Sequence, residues 1–215
     1  MHLPQLLPVV LVHGGLFEDM NPTKYWIDSG VTEALAATTT RFIAPKRPAE
    51  PTSWQQESDV LLAAIEKAGF DQVALVGASH GCSAAARLAV DHPNRVGRLM
   101  LAWPATAGDQ VLDDLARIVI EDQVGAEAAD DLLAGETIRG VTDTELANLA
   151  MPLVVFPSIP ASHAHQRDTA TRIVQAQPEA LLAGGSPDPL DKQFAEHLDE
   201  FLRILQVVSV IEHDD

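Results

Sequence analysis

Val73-Ala74-Leu75-Val76-Gly77-Ala78-Ser79-His80-Gly81-Cys82-Ser83 is the stretch that decides the fold. A short apolar run of strand character passes directly into Gly-x-Ser-x-Gly and then into an Ala-rich helical stretch, Ser79 to Val90, that ends before Pro93. Two glycines at this spacing let the backbone turn sharply from strand to helix. The turn leaves the Ser79 hydroxyl exposed at a helix N-terminus, where partial positive charge favours an oxyanion. Ser79 is therefore a candidate nucleophile. The bland alternative is that small residues merely pack a tight turn.

Working outward, short aliphatic runs recur at Val9 to Val12, Arg41 to Ala44, Gln72 to Val76, Arg98 to Ala102, Leu153 to Phe156 and Ala180 to Ala183. Helical spacing lies between them, at Asp28 to Ala37, Gln55 to Ala68 and Leu190 to Leu205. Such alternation predicts an α/β fold with a mostly parallel sheet of about six strands, flanked by helices. The stretch from Pro104 to Ala150 differs, being dense in Asp and Glu with only Arg117 and Arg139 as bases. Its apolar residues (Val111, Leu112, Leu115, Ile118, Val119, then Leu132, Leu133, Leu146 and Leu149) predict short helices lying over something, and residues 104–150 read as a helical lid inserted in one domain spanning 1–215. On the final helix Phe194, Leu198, Phe201, Leu202 and Leu205 form one apolar stripe.

Composition narrows the function. The 215 residues carry 14 Lys and Arg against 31 Asp and Glu, a formal charge of -17, and 47% are hydrophobic. The hydrophobic content is enough for a core without metals or bridges. The acidic surface repels polyanions, which argues against nucleic acid and anionic membrane as partners and favours a neutral small-molecule substrate. The single Cys82 closes no intrachain bridge and points to a reducing, cytoplasmic setting. No run has the roughly 20 apolar residues of a membrane span. Leu6 to Val12 lacks a basic cluster before it and a small-residue cleavage site after it.

A second chemical element is Val10-Leu11-Val12-His13-Gly14-Gly15, an apolar strand ending in a Gly pair. Its N–H at Gly15 and the N–H of His80 make a candidate oxyanion hole, in which one donor is typically worth roughly 100- to 1000-fold in rate. Gly14, Leu16, Phe17 and Trp103 are candidate substrate contacts, and Met20 and Trp54 share that expectation. Trp103 and Trp54 are equally readable as core. Cys82, one turn into the helix, reads as a buried small hydrophobe.

Taken together, the His13-Gly14-Gly15 turn, the elbow at Ser79, the stretch Asp91-His92-Pro93-Asn94-Arg95-Val96 leading to the strand ending at Trp103, and the insertion after it resemble the α/β-hydrolase superfamily. The resemblance covers nearly the whole chain, although two strands that usually begin the pattern are absent. It implies a serine hydrolase that needs no cofactor, with His13 structural. It also implies the order nucleophile, acid, histidine, and here the chain departs from the pattern. The loop after Leu153 to Phe156 has no carboxylate before Asp168, and the loop after Ala180 to Ala183 has no histidine. His163 and His165 are the candidate bases, His165 slightly preferred because it sits nearer the following helix. Asp109 is the first candidate for the orienting acid, with Asp168 and Asp188 as alternatives. A His-x-His metal site has no carboxylate or cysteine at ligand spacing, so no metal is expected. Two functions follow from this: a serine hydrolase of a small neutral ester, thioester or amide, or a degenerate binding protein or cofactor-free lyase that keeps the elbow without its relay.

Overall fold

The computed structural model describes residues 5–17 and 21–211. In chain order its strands are β1 (Gln5–Leu6), β2 (Val9–Val12), β3 (Phe42–Ile43), β4 (Val73–Ala78), β5 (Val96–Ala102), β6 (Leu153–Phe156), β7 (Leu181–Leu182) and β8 (Val210–Ile211). Six of them form one sheet in the order β3-β2-β4-β5-β6-β7, and every pair in it is parallel. The helices are α1 (Val31–Ala36), α2 (Trp54–Lys67), α3 (Gly81–Asp91), α4 (Gln110–Val124), α5 (Ala126–Leu133), α6 (Asp143–Ala147), α7 (Arg167–Ala176) and α8 (Leu198–Ser209).

Strand alternation splits the core in two. Val10 and Val12 of β2 join Val73, Leu75, Leu99, Leu101, Leu153 and Val155 on one face. Val9 and Leu11 join Ala74, Val76, Met100, Ala102 and Phe156 on the other. Leu11 is fully buried, a change of environment worth about 1.5–3 kcal/mol for a side chain of its size. On the first face α2 presents Trp54, Leu61 and Ile65, and Ala84, Ala85 and Ala89 let α3 approach the sheet closely. Ser53 caps α2 by accepting from the Gln56 N–H at 3.0 Å, the usual service of a serine at that position. On the second face α8 buries Phe201 and Leu205 against Trp26 and Trp103.

Three features differ from the sequence reading. The apolar run Leu6 to Val12 reads as one strand but is split: β1 pairs antiparallel with β8, and Pro8, which has no N–H to give a ladder, separates it from β2. The last helix starts at Leu198, not Leu190, because Asp188 and Asp191 accept from the Leu190 and Gln193 N–H groups, short turns that compete with helix. Finally, Val111, Leu115, Ile118 and Val119 of α4 are exposed, whereas Ile120, Leu132, Leu146 and Leu149 are buried. The segment between β5 and β6 thus packs by α5, α6 and one edge of α4. No helix among the described residues is long and apolar enough to cross a membrane.

Candidate active site

β4 ends at the elbow. Ser79 has φ +53°, in the left-handed region, a conformation costing a non-glycine residue on the order of 1–3 kcal/mol and typical of functional sites. The glycines around it answer to crowding. A Cβ on Gly77 would lie 2.5 Å from the Gly81 carbonyl oxygen, and one on Gly81 would lie 2.6 Å from the His13 carbonyl oxygen. Cys82 is buried and its Sγ lies 3.2 Å from the Gly77 oxygen and 3.3 Å from the Ala102 oxygen. Burial pushes its thiol pKa far up, so it is inert as a nucleophile.

His165 Nε2 lies 2.9 Å from Ser79 Oγ, and His165 Nδ1 lies 3.5 Å from Asp188 Oδ2. Three residues remote in sequence thus form one line of contacts. His165 follows β6 and Asp188 follows β7, neighbouring strands whose carboxyl ends open on the same edge as the elbow. The loop after β6 is pinned from two sides. Thr106 donates its N–H to the Ala164 oxygen (2.8 Å) and its hydroxyl to the His163 oxygen (2.8 Å), and accepts from the Gln166 N–H (3.0 Å). Ser162 Oγ accepts from the His165 N–H at 3.2 Å. Asp188 is turned by the Leu190 N–H, which donates to its other oxygen. Trp103 Nε1 donates to the Ser186 oxygen at 2.9 Å and holds the start of the same loop. Burial lowers the His165 pKa and the Asp188 charge opposes that shift, so the ring is neutral and able to accept a proton at neutral pH.

The other predicted residues fall into place around this line. His163 is exposed and contributes its backbone carbonyl. Asp109 caps α4, accepting from the Val111 and Leu112 N–H groups, and its second oxygen accepts from Gln166 Nε2 at 2.9 Å. Those bonds, the Gln166 one foremost, hold its carboxyl below the usual range, and it does not meet His165. Asp168 is exposed and pairs with Arg172 on α7. Trp103 belongs to the core, stacked on Phe201 at 5.1 Å between ring centroids, and is not a cavity wall. Trp54 likewise turns inward, donating to the Leu132 oxygen. Met20 lies outside the described residues.

The oxyanion-loop candidates are held by a buried ion pair that the sequence reading missed. Arg47 Nε and Nη2 grip both oxygens of Glu57 at 2.9 and 2.7 Å, while Nη1 donates to the His13 and Gly15 oxygens at 2.9 and 2.7 Å. The pair is almost wholly buried, at 2% and 0% exposure. Its signal in the sequence was weak, since a loop Arg and a helix Glu are ordinarily solvated. His13 is fixed by the same loop: the Arg47 N–H donates to Nε2, so the ring proton sits on Nδ1 and goes to the Gly14 oxygen at 2.8 Å. Burial presses its pKa down to about 4, Arg47 and Lys46 adding to the effect. Gly14 stands behind the site; a Cβ there would meet Ser79 Cβ at 2.9 Å. Among the described residues neither the Gly15 nor the His80 N–H meets a protein acceptor.

A cavity of about 380 Å³ opens over Ser79 and His165, walled by Gly15, Leu16 and Phe17 on one side and Ala116, Val119 and Ile120 of α4 on the other. Burial pushes the His80 ring at its edge down to about 3, with Arg139, Arg47 and His165 contributing. Among the described residues no three His, Cys, Asp or Glu side chains are grouped as metal ligands.

With this geometry in hand, comparison with known proteins gives a fold and no closer relative. No family model matches the chain, and no curated protein does. Solved structures do match. The meta-cleavage product hydrolase of Pseudomonas fluorescens aligns with TM-score 0.69 and 18% identity over 95% of this chain and 90% of its own. The 2-hydroxy-6-oxo-6-phenylhexa-2,4-dienoate hydrolase of a Rhodococcus species gives 0.68 and 14% over 94% and 90%, and the naproxen esterase of Bacillus subtilis 0.63 and 15% over 94% and 86%. The chain has the α/β-hydrolase fold.

Proposed function

We propose that the protein is a serine hydrolase acting on a small ester, thioester or amide, with Ser79, His165 and Asp188 as its relay. The observation that carries this reading is the 2.9 Å contact between His165 Nε2 and the Oγ of a strained serine at a strand-to-helix elbow. His165 takes the Ser79 proton as Oγ attacks the carbonyl, and the Gly15 and His80 N–H groups receive the developing negative oxygen. Collapse of the tetrahedral intermediate expels the leaving group, which takes the proton from His165. Water then attacks the acyl-serine with His165 again as base, releasing the acid and restoring Ser79. Asp188 holds the Nδ1 proton and stabilises the imidazolium that forms at each step. Its 3.5 Å separation is longer than a formed hydrogen bond, and contacts of this kind commonly tighten once substrate is bound.

The chemistry requires no cofactor. The α4–α6 segment acts as a lid whose Ala116, Val119 and Ile120 select the substrate. The buried, unpaired Cys82 fits a reducing cytoplasmic setting. The contacts of His165 with Ser79 and with Asp188 support this reading over a degenerate binding protein or cofactor-free lyase. Intact-mass spectrometry after treatment with a fluorophosphonate tests the reading. One adduct per chain is expected, absent in Ser79→Ala and at least 100-fold slower in His165→Ala; a folded wild-type protein that takes no adduct overturns it.

A further inference from the structure

Two polar groups of the cavity have no part in acyl transfer. Arg139 is only 5% exposed and lines the cavity. It gives one Nη2 hydrogen to Asp113 Oδ1 at 2.6 Å, and its Nε and Nη1 have no side-chain acceptor among the described residues. A guanidinium offers five N–H donors, so most of this one is unmatched. Tyr25, 1% exposed, lines the same cavity, and its buried hydroxyl has no hydrogen-bond partner among the described residues. An unmatched buried donor such as the Tyr25 hydroxyl costs roughly 1–3 kcal/mol, whereas the remaining Arg139 N–H groups are not among the buried atoms left without a partner.

The remaining wall is chiefly apolar, from Leu16, Phe17, Val119 and Ile120. A few polar groups in such a wall are what orient a small molecule. Both groups here are donors, because burial raises the Tyr25 pKa and keeps the phenol protonated. The complementary ligand must therefore bring acceptors, and the one facing Arg139 meets a positive charge. The carboxylate that would compete for this space, Asp188, is already engaged by His165 and the Leu190 N–H. Asp113 occupies one edge of the guanidinium only.

We infer that the substrate cleaved at Ser79 carries a carboxylate remote from the reacting carbonyl, bound by the free edge of Arg139. This rests on Ser79 being the acyl-transfer nucleophile. It replaces the neutral substrate expected from net charge: surface charge is screened over about 8 Å at physiological salt, whereas Arg139 stands inside the pocket.

The test compares matched esters in wild type and Arg139→Gln. One pair is the 4-nitrophenyl monoester of glutarate against 4-nitrophenyl pentanoate, with the charge on the acyl side. The other is 3-carboxy-4-nitrophenyl acetate against 4-nitrophenyl acetate, with the charge on the leaving group. In one pair Arg139→Gln should lower the anionic-to-neutral ratio of kcat/KM at least tenfold, mainly through KM, and the pair affected says which end bears the charge. An unchanged ratio in both pairs, in a variant melting like wild type, overturns the inference. Calorimetric titration with glutarate reads the subsite without hydrolysis. Arg139→Gln should weaken binding at least tenfold, and Asp113→Asn, which frees the guanidinium, should tighten it. If no ester is turned over but glutarate binds in this pattern, the hydrolase reading fails and the anion site stands; if wild type binds no glutarate, the anion site fails.

Discussion

Ser79 shows how far a residue's chemistry follows from its neighbours in sequence. The glycines at 77 and 81 are needed because each meets backbone at contact distance, and the strained φ follows from the turn they permit. His165 required the fold, since sequence preferred it only slightly over His163, two residues away. A pH profile tests the choice. As the proposed base, His165 works when neutral, so activity should be present above its pKa and lost as pH falls through it. Because burial lowers that pKa, the acid limb of kcat/KM should lie below the ordinary histidine value of about 6.5. Asp188→Asn removes the charge that raises the pKa, so the limb should move further to acid while kcat falls roughly 10⁴-fold, as loss of the orienting acid does in serine proteases. A limb that stays in place with kcat within tenfold would remove Asp188 from the relay.

Among the elements, the loop after β2 depends on a helix far from it in sequence. Glu57 of α2 holds Arg47, and Arg47 holds the His13 and Gly15 carbonyls. Breaking a buried pair from one side strands a charge and costs about 3–5 kcal/mol. Glu57→Ala should lower stability by that amount in urea melts and depress kcat more than KM, since the proposed oxyanion donors lose their frame. A loss under 1 kcal/mol would show that the pair is not holding the loop. The segment between β5 and β6 carries a second contrast. Leu132 is buried and Ile118 is 66% exposed. Leu132→Ala should cost about 2–5 kcal/mol, and Ile118→Lys within about 0.5 kcal/mol; urea melts of the two variants check whether α5 and not the outer face of α4 is core. Apolar spacing alone marked both as inward because periodicity identifies a face and not what it faces.

For the whole molecule, His13 ties stability to pH. It is neutral in the fold with a pKa of about 4, against about 6.5 for an unperturbed histidine. The unfolded chain therefore binds more protons between those values, so this contribution is full above pH 6.5 and is lost as pH falls toward 4. The loss is on the order of 3 kcal/mol. Thermal melts of wild type should fall in Tm over that interval, and His13→Gln, already lacking the titration, should show a shallower slope. Equal slopes would mean that other groups carry the acid sensitivity.

What the sequence by itself determined was set by local physics: the alternation that builds a parallel sheet, the strand–elbow–helix at Ser79, the glycine turn after β2, and the inert place of Cys82. These depend on residues within a few positions of one another. What only the tertiary structure decided was every contact between loops. Sequence sought an acid after β6 and a histidine after β7 and found neither in place; the fold has a histidine after β6 and an aspartate after β7 in contact with each other. In space β6 and β7 are paired neighbours, so His165 and Asp188 meet across the same edge whichever loop supplies which. The contacts with Ser79 depend on distance and not on chain order, and so the exchange is invisible until the loops are folded side by side.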